Sequence, residues 1–179
     1  GFFPRQTGRM DENGTHHPDD GFVGDYLLYL LAAASEAASA QFHAHVRAQG
    51  LRVPEWRVLA CLHDADGAMI THLARLALVE QSRLTKIVAQ MDAKGLVTRR
   101  GDASDRRRVR VCITEKGRAL ADRLVADARA HEAELLKTLA GGDAARIKPA
   151  LRALIDALAT PSSAGTAPPP GRPPGSPAG

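Results

Sequence analysis

Apolar side chains recur every three or four residues through most of the chain, which is the period of an amphipathic α-helix. The pattern predicts six helices, over residues 25–49, 54–63, 70–77, 81–94, 115–139 and 143–159. Gly50 would end the first helix, and Pro54 would open the second within its first turn. In the third helix, Leu73, Leu76 and Ala77 are predicted to face inward.

The apolar period changes from 3.6 to 2 at about residue 96. Residues 96–100 and 108–113 alternate as β-strands do and flank a polar turn, so they predict a β-hairpin. Thr114 is expected to cap the helix that follows. Pro149 is unusual inside the last helix, which would be kinked there or begin at Lys148. The fold class that results is mainly α with a small β-hairpin.

The two ends of the chain lack this periodicity. Residues 1–20 mix glycine, proline, histidine and acids, and residues 160–179 contain seven prolines and four glycines. Such segments bury too little apolar surface to offset the entropy lost on ordering. We therefore expect a disordered N-terminal arm over 1–20, a disordered tail over 160–179, and one folded domain over 21–159.

Composition narrows the class of protein. The 179 residues carry a net charge of +4, which is compatible with a polyanionic partner. Cys61 and Cys112 are the two cysteines, and both lie in apolar segments, which favours a reducing compartment. The most apolar run, residues 22–34, is too short to cross a bilayer. A cytoplasmic protein without a membrane partner is expected.

The sequence offers little that would make an enzyme. It has no glycine-rich phosphate loop, no GxSxG and no HExxH, and His131-Glu132 lacks a second histidine. His43 and His45 are two residues apart on a predicted helix, so they point in different directions and cannot share a metal. No catalytic residue, cofactor or metal site is predicted.

Arginine is concentrated in the predicted hairpin. Between residues 99 and 110, six arginines face only two acids, Asp102 and Asp105. One interpretation is a solvated face that protects a sheet edge from aggregation, and the other is a nucleic-acid contact. The position of the hairpin, directly after two short helices joined by a tight turn, favours nucleic acid. The arginines are Arg99, Arg100, Arg106, Arg107, Arg108 and Arg110.

The helix over residues 81–94 has the polar face expected of a helix that reads DNA. Its outward side chains carry donors and acceptors suited to base edges and phosphates, although an ordinary solvent-facing surface is the alternative. A bidentate contact from Arg83 to guanine would contribute about 1–3 kcal/mol of discrimination. The outward side chains are Gln81, Ser82, Arg83, Thr85, Lys86 and Gln90.

These segments resemble a known family. Residues 73–78, 81–88 and 94–99 look like the helix-turn-helix of the MarR family of bacterial winged helix-turn-helix regulators. The strongest match is Asp102-Ala103-Ser104-Asp105-Arg106-Arg107, followed by Ile113-Thr114-Glu115-Lys116-Gly117. It is similar to the wing signature of the family, with Ile113 in place of the usual leucine. The resemblance covers about residues 21–159.

The resemblance implies a homodimeric repressor with a winged helix-turn-helix domain and a helical dimerisation region. Residues 54–113 would form the DNA-binding core, and the helices at 25–49, 115–139 and 143–159 would interlock between subunits. In the wing, Asp105 and Arg107 would orient the turn and Arg106 would enter the minor groove. Independently of the resemblance, Lys86 and the hairpin arginines, Arg108 among them, would contact phosphates and make the affinity fall steeply with salt. Symmetry then predicts a palindromic operator with half-sites about one helical turn apart.

Independently of the family, the apolar stripes of the terminal helices exceed what a small winged domain can cover. Burial against a second subunit is therefore expected.

Members of this family often bind small anionic aromatic molecules between the dimer helices and the winged domain. Core packing is the alternative role for Phe42 and Trp56, and close helix contact is the alternative for Ser35 and Ser39. Residues 25–31 and 42–45 resemble repressors of nicotinate breakdown, so hydroxynicotinate is the expected effector. The candidate lining residues are Tyr29, Ser35, Ser39, Phe42, His43, Trp56 and Arg57.

Two other kinds of function stay open at this point. The first is an architectural protein that binds DNA without sequence preference, and the second is a redox or metal sensor of the same fold. Peroxide sensors of the family use a reactive cysteine near the start of the first helix, where this chain has none. Cys61 and Cys112 are expected to be inert.

Overall fold

A computed structural model describes residues 21–105 and 108–159. The predicted arm, the predicted tail, Arg106 and Arg107 lie outside these residues. The elements, in chain order, are α1 (Phe22–Asp25), α2 (Leu27–Ala48), α3 (Val53–Asp64), β1 (Ala68–Met69), α4 (Ile70–Leu76), α5 (Gln81–Ala93), β2 (Val97–Gly101), β3 (Val109–Ile113), α6 (Glu115–Lys137) and α7 (Asp143–Ala159).

The mainly helical fold with a small β-hairpin is confirmed. The helices α2 to α7 begin and end within two residues of the predicted bounds. The cap at Thr114 is confirmed as well, because the backbone N–H of Gly117 donates to Thr114 Oγ1 at 3.0 Å. Pro149 lies inside α7, which runs continuously past it.

The sheet has three antiparallel strands in the order β1-β3-β2. The hairpin pairs Val97 with Ile113 and Gly101 with Val109. Strand β1 is the third strand, at one edge of the sheet, where Ala68 pairs with Val111 of β3. The sequence analysis missed β1 because two residues are too few to show an alternating pattern.

The described residues fall into two compact units that divide between Leu135 and Leu136. The unit that ends at Leu135 holds the apolar core. Helices α2 to α6 and the sheet all contribute to this core, since each lays one apolar face inward. Its fully buried side chains include Val46, Val58, Leu59, Leu62, Leu73, Leu84, Val88, Met91, Val97 and Val111.

The unit that begins at Leu136 contains the end of α6 and all of α7. No residue of α7 is buried. Ile155 is 63% exposed and Leu158 is 78% exposed, although both lie on the apolar stripe of this helix.

The prediction that Leu76 faces inward is wrong, because its side chain is 49% exposed. The buried residues of this short helix and its cap are Leu73, Ala74 and Ala77. At 100° per residue they centre the buried stripe roughly 100° away from Leu76. The chain then turns at Leu78, a non-glycine residue with φ of 56°.

Gly117 explains why the motif after the wing ends in glycine. This residue is buried in the first turns of α6. A Cβ atom placed on it would lie 2.1 Å from the carbonyl oxygen of Leu96 and 3.0 Å from Cγ1 of Ile113. Because a backbone oxygen cannot give way as a flexible side chain can, only glycine lets α6 approach the hairpin this closely.

Across the described ranges 21–105 and 108–159, no helix combines the length and the apolar character that a membrane crossing requires.

Candidate DNA-binding surface

Helix α5 separates an apolar face from a polar one. Leu84, Ile87, Val88 and Met91 are buried, which turns the opposite side of the helix outward. All six polar side chains that the sequence analysis assigned to DNA are exposed: Gln81, Ser82, Arg83, Thr85, Lys86 and Gln90.

Two of these side chains already have partners within the chain. The hydroxyl of Thr85 donates to the carbonyl of Gln81 at 3.0 Å, within the same helix. The amide oxygen of Gln90 accepts a hydrogen bond from the guanidinium of Arg52. Within residues 21–105 and 108–159, the polar side chains of α5 that make no such contact and stay open to a ligand are Gln81, Ser82, Arg83 and Lys86.

The wing turn is organised by Asp102, a residue that the sequence analysis did not assign to the site. One carboxylate oxygen accepts the Ser104 backbone N–H at 2.8 Å, and the other accepts Nε of Arg110 at 3.0 Å. The hydrogen bonds from Ser104 and then from Arg110 hold the pKa of Asp102 well below its usual range. Arg110 also donates to the carbonyl of Gly67 at 3.0 Å, which ties the hairpin to the start of β1.

A signal for this role existed in the sequence. An aspartate followed two residues later by serine is typical of a turn in which the carboxylate accepts the serine N–H.

The hairpin arginines differ in how they are engaged. Nε of Arg99 lies 2.9 Å from Asp92, and Nε of Arg108 lies 3.8 Å from Asp105. Arg100 is exposed and makes no ion pair within the ranges 21–105 and 108–159. Since Arg99, Arg108 and Arg110 also stay exposed while paired, their guanidinium groups are not folded into the core. Asp105 and Arg108 close the described part of the turn, where the N–H of Arg108 donates to the carbonyl of Asp105 at 2.9 Å.

A cleft of about 250 Å³ lies between α5 and the wing. Gln81 and Thr85 line it from the helix, Arg108 and Val109 from the hairpin, and Thr71 from the start of α4. The cleft joins the polar face of α5 to the wing in one surface. Donors on both of its walls can contact a phosphate backbone that passes between them.

Glu55 is a second residue that the sequence analysis missed. Its side chain is 0% exposed and accepts Nζ of Lys94 at 2.8 and 3.0 Å. Burial raises the pKa of Glu55, but the hydrogen bonds from the Arg52 backbone and from Lys94 outweigh it and leave the pKa below its ordinary value. The signal was a glutamate in the first turn of the helix that Pro54 opens, which is typical of a capping box.

The predicted effector residues are not all brought together. Tyr29 is exposed near the start of α2, and it precedes Phe42 by 13 positions, which correspond to roughly 20 Å of helix. Ser35 is exposed, and its carbonyl accepts the hydroxyl of Ser39 at 2.7 Å within the helix. Phe42 is part of the core, where its ring lies 5.4 Å from that of Trp56.

The charge of Arg57 on α3 acts on His43 of α2. Burial, followed by the charges of Arg57 and Arg47, lowers the pKa of His43. Arg57 is half-buried, and its guanidinium donates to the carbonyl of Ala77 at 3.4 Å. Positive charge that lowers the pKa of an imidazole also favours a carboxylate nearby.

Trp56 faces a groove of about 290 Å³ between α3 and α6. The sequence analysis did not assign any residue on the α6 side of it. Val125, Ala128, Arg129 and Glu132 form that side. The indole of Trp56 on its wall offers a face against which an aromatic ring can stack.

The two cysteines lie in different elements, α3 and β3, and both are half-buried. Cys61 is half-buried in α3, where burial and then Asp64 raise the pKa of its thiol. Cys112 is half-buried in β3. Within residues 21–105 and 108–159, no three side chains of the metal-ligating types lie together.

The paired helices α4 and α5, with an arginine-rich hairpin beside them, define a winged helix-turn-helix DNA-binding protein. Residues 51–109 match the MarR family. The chain is also 32% identical over 121 residues to the HTH-type transcriptional repressor Rv2887 of Mycobacterium tuberculosis, an alignment that covers 68% of this chain and 84% of that protein. The chain belongs to the MarR family of transcriptional regulators and is not an enzyme.

Solved structures of the family have the same fold. A MarR family transcriptional regulator of Silicibacter pomeroyi DSS-3 is 68% identical, with a TM-score of 0.71, over 77% of this chain and 98% of that one. The M. tuberculosis protein in complex with salicylic acid is 30% identical, with a TM-score of 0.58, over 72% of this chain and 95% of that one. The homoprotocatechuate degradative operon repressor of Escherichia coli is 31% identical over 99 residues, which cover 55% of this chain and 67% of that protein.

Proposed function

We propose that the chain is a homodimeric repressor that binds a palindromic operator and is released from it by a small aromatic carboxylate. The DNA-binding half of the proposal depends on one observation, the cleft that joins the polar face of α5 to the wing through Gln81, Thr85 and Arg108. Since a repressor acts on the chromosome, we expect it in the cytoplasm.

In this proposal the first half of α5 reads bases in the major groove. Arg83 contacts a guanine, and Ser82 stands beside it at the N-terminus of the helix. Lys86 and Arg108 contact phosphates on either side of the cleft. In the wing, Arg106 enters the minor groove, and Asp105 and Arg107 orient the turn.

The dimer is supported by apolar surface that the described chain leaves uncovered. Leu27 and Leu28 at the start of α2 are 55% and 59% exposed, and Ile155 and Leu158 of α7 are more exposed still. A soluble monomer seldom leaves that much apolar surface in water. A second copy of the chain is the partner that a twofold operator requires.

The effector is supported by chemistry at α3. Trp56 offers a face for an aromatic ring, and the pair of His43 and Arg57 offers a site for a carboxylate. A relative has been solved with salicylic acid, which is itself a small aromatic carboxylate. Within this class we propose hydroxynicotinate, and control of nicotinate degradation, on the resemblance of residues 25–31 and 42–45 to nicotinate repressors.

The DNA-binding proposal is tested by letting the protein select duplexes from a random library. The salt dependence of binding is then measured for the selected duplex and for a random duplex of equal length. A sequence-specific repressor should prefer the selected duplex by 10³-fold or more at physiological salt. Equal binding of both duplexes would instead identify an architectural protein.

Substitution of two arginines distinguishes a base-specific contact from an electrostatic contact with DNA. Arg106→Ala should weaken binding to all duplexes and lower the salt slope by about 1. Arg83→Ala should relax preference at one base pair of each half-site. An unchanged affinity of Arg106→Ala for the selected duplex at moderate salt would contradict the proposed wing contact.

The effector proposal is tested by thermal unfolding with hydroxylated pyridine carboxylates, with salicylate as a second aromatic acid. A ligand at 100 times its Kd adds about 2.7 kcal/mol, which raises the Tm by roughly 5–10 °C for a chain of this size. Arg57→Gln should abolish that shift, and Arg129→Gln is the matched control at the groove. If the control alone loses the shift, then the carboxylate is bound by Arg129 and our assignment to His43 and Arg57 is wrong.

A further inference from the structure

The two ends of α5 are held in different ways. At its C-terminal end, Lys94 binds Glu55 through its ammonium group and accepts Nζ of Lys116 at 2.9 Å through its carbonyl oxygen. At its N-terminal end, the side chains of Gln81, Ser82 and Arg83 make no hydrogen bond or ion pair to another element within the described ranges. The helix is therefore tethered by polar contacts at the end opposite to the one proposed to read DNA.

Glu55 is at the centre of the tether. It is the one charged side chain buried among residues 21–105 and 108–159. One of its oxygens accepts the Arg52 backbone N–H at 2.8 Å, and the carboxylate accepts both contacts from Lys94. Arg52 adds a second link, because its guanidinium donates to Gln90 of α5. The start of α3 thus holds the last turn of α5 through two side chains.

The carboxylate of Glu55 is buried while the side chain of Lys94 is 43% exposed, so the cost of removing the carboxylate from water offsets much of the attraction between the two charges. The apolar contacts of Leu84, Ile87, Val88 and Met91 hold α5 against the core, but such contacts have no preferred direction. Hydrogen bonds to a carboxylate do have one. The pair can therefore fix the rotation and the axial position of the helix.

A small tilt at the C-terminal end of α5 moves its N-terminal end by a large distance. A helix of 13 residues is roughly 20 Å long, so a 5° tilt at its C-terminus moves its N-terminus by about 2 Å. A bidentate contact to a base does not survive a displacement of that size, since hydrogen bonds weaken steeply away from their ideal distance and angle.

We propose that Glu55 is a positioning residue for DNA recognition, which holds the recognition helix α5 through Lys94 so that its first turn meets the bases in register. This inference rests on the proposed role of α5 in reading DNA. It predicts that the pair determines sequence preference, while binding to DNA of any sequence does not depend on it.

The test is the double variant Glu55→Gln/Lys94→Gln, which removes one charge of each sign and leaves the net charge unchanged. Its probes are the duplex that the wild-type protein selects and a random duplex of equal length, both at one salt concentration. Affinity for the selected duplex should fall at least tenfold, and affinity for the random duplex should change less than twofold. The matched control, Asp64→Asn/Arg75→Gln, removes one exposed charge of each sign outside α5, the wing and the proposed dimer helices, and should keep both affinities.

The outcomes are separable. If the wild-type protein shows no preference, the proposed function fails before the variant is tested. If the wild type prefers its duplex and the double variant keeps that preference, the role of Glu55 is overturned. Glu55→Gln alone keeps an acceptor for the Arg52 N–H and serves as the second variant. Loss of helical circular dichroism in both variants would make Glu55 a folding residue and would also overturn the proposal.

Discussion

Helices α5 and α7 have the same kind of sequence pattern and opposite surroundings. Each carries an apolar stripe at helical spacing. The stripe of α5 is buried by the rest of the chain, with Leu84 and Val88 fully inaccessible. None of the residues of α7 is buried, and Ile155 is 63% exposed. An amphipathic pattern therefore does not show whether the rest of the same chain covers the apolar face.

The largest expected effect comes from a substitution in the part of the chain whose apolar core is buried by the chain itself. Gly117→Ala places a methyl group against the backbone oxygen of Leu96, which cannot move aside without shifting the hairpin. We expect a loss of about 3 kcal/mol in the free energy of unfolding, as for severe overpacking. Urea denaturation followed by circular dichroism measures it.

Gly101→Ala is the control, because a Cβ at that strand position meets nothing within 4 Å. It should change stability by less than about 0.5 kcal/mol, as most surface substitutions do. Equal stability of the two variants would mean that α6 does not need its close approach to the hairpin.

The next effect concerns the apolar stripe of α7, which the described residues leave exposed. Ile155→Glu introduces a charge into the apolar stripe of α7 and should weaken the proposed dimer at least tenfold, because it replaces roughly 2 kcal/mol of apolar burial by the cost of a buried charge. Sedimentation measures the dimer constant. Ala153→Glu puts the same charge on the opposite side of the helix and should leave the constant unchanged. A dimer that tolerates Ile155→Glu would exclude this stripe from the interface.

The comparison also explains what the sequence could and could not predict. Helix bounds, the hairpin and the polar face of α5 follow from local periodicity, and so they were predicted within two residues. Glu55 was missed because periodicity assigns charges to the surface, and burial of a carboxylate becomes visible only when Lys94 arrives from a distant helix. Leu76 was placed wrongly because a helix of seven residues does not define the centre of its stripe.

The candidate site divides in the same way. The exposed side chains of α5 and the arginines of the hairpin were recognised from the local pattern. Asp102 was missed although its partners Ser104 and Arg110 are close in sequence, whereas the α6 side of the Trp56 groove depends on contacts between residues far apart in sequence. Such contacts are set by tertiary packing, and one sequence carries no direct signal of them.

A smaller effect on stability is expected at low pH, and it comes from the buried carboxylate of Glu55 beside α5. The pKa of Glu55 is lowered in the folded state, so the ionised carboxylate stabilises the fold above its unfolded pKa. That contribution is lost as the pH falls through the folded pKa. The free energy of unfolding should therefore decrease as the pH falls below the ordinary pKa of a glutamate. In Glu55→Gln this decrease should be less steep. Glu36→Gln, an exposed position of α2, should leave the slope of the wild type intact.

The smallest effects concern the turns on either side of α5, and they test whether its position is set locally or by the core. Leu78 precedes the helix with φ of 56° and a side chain that is 78% exposed. Gly95 follows the helix with φ of 73° and open space where a Cβ would lie. Gly95→Ala should cost about 1 kcal/mol, because it forces a side chain into the left-handed region. Leu78→Gly should gain about 0.5 kcal/mol, since relief of the same strain exceeds the added freedom of the unfolded chain. Thermal unfolding of both variants measures the two shifts, and a loss of stability in Leu78→Gly would show that the turn is held by contacts of the leucine side chain.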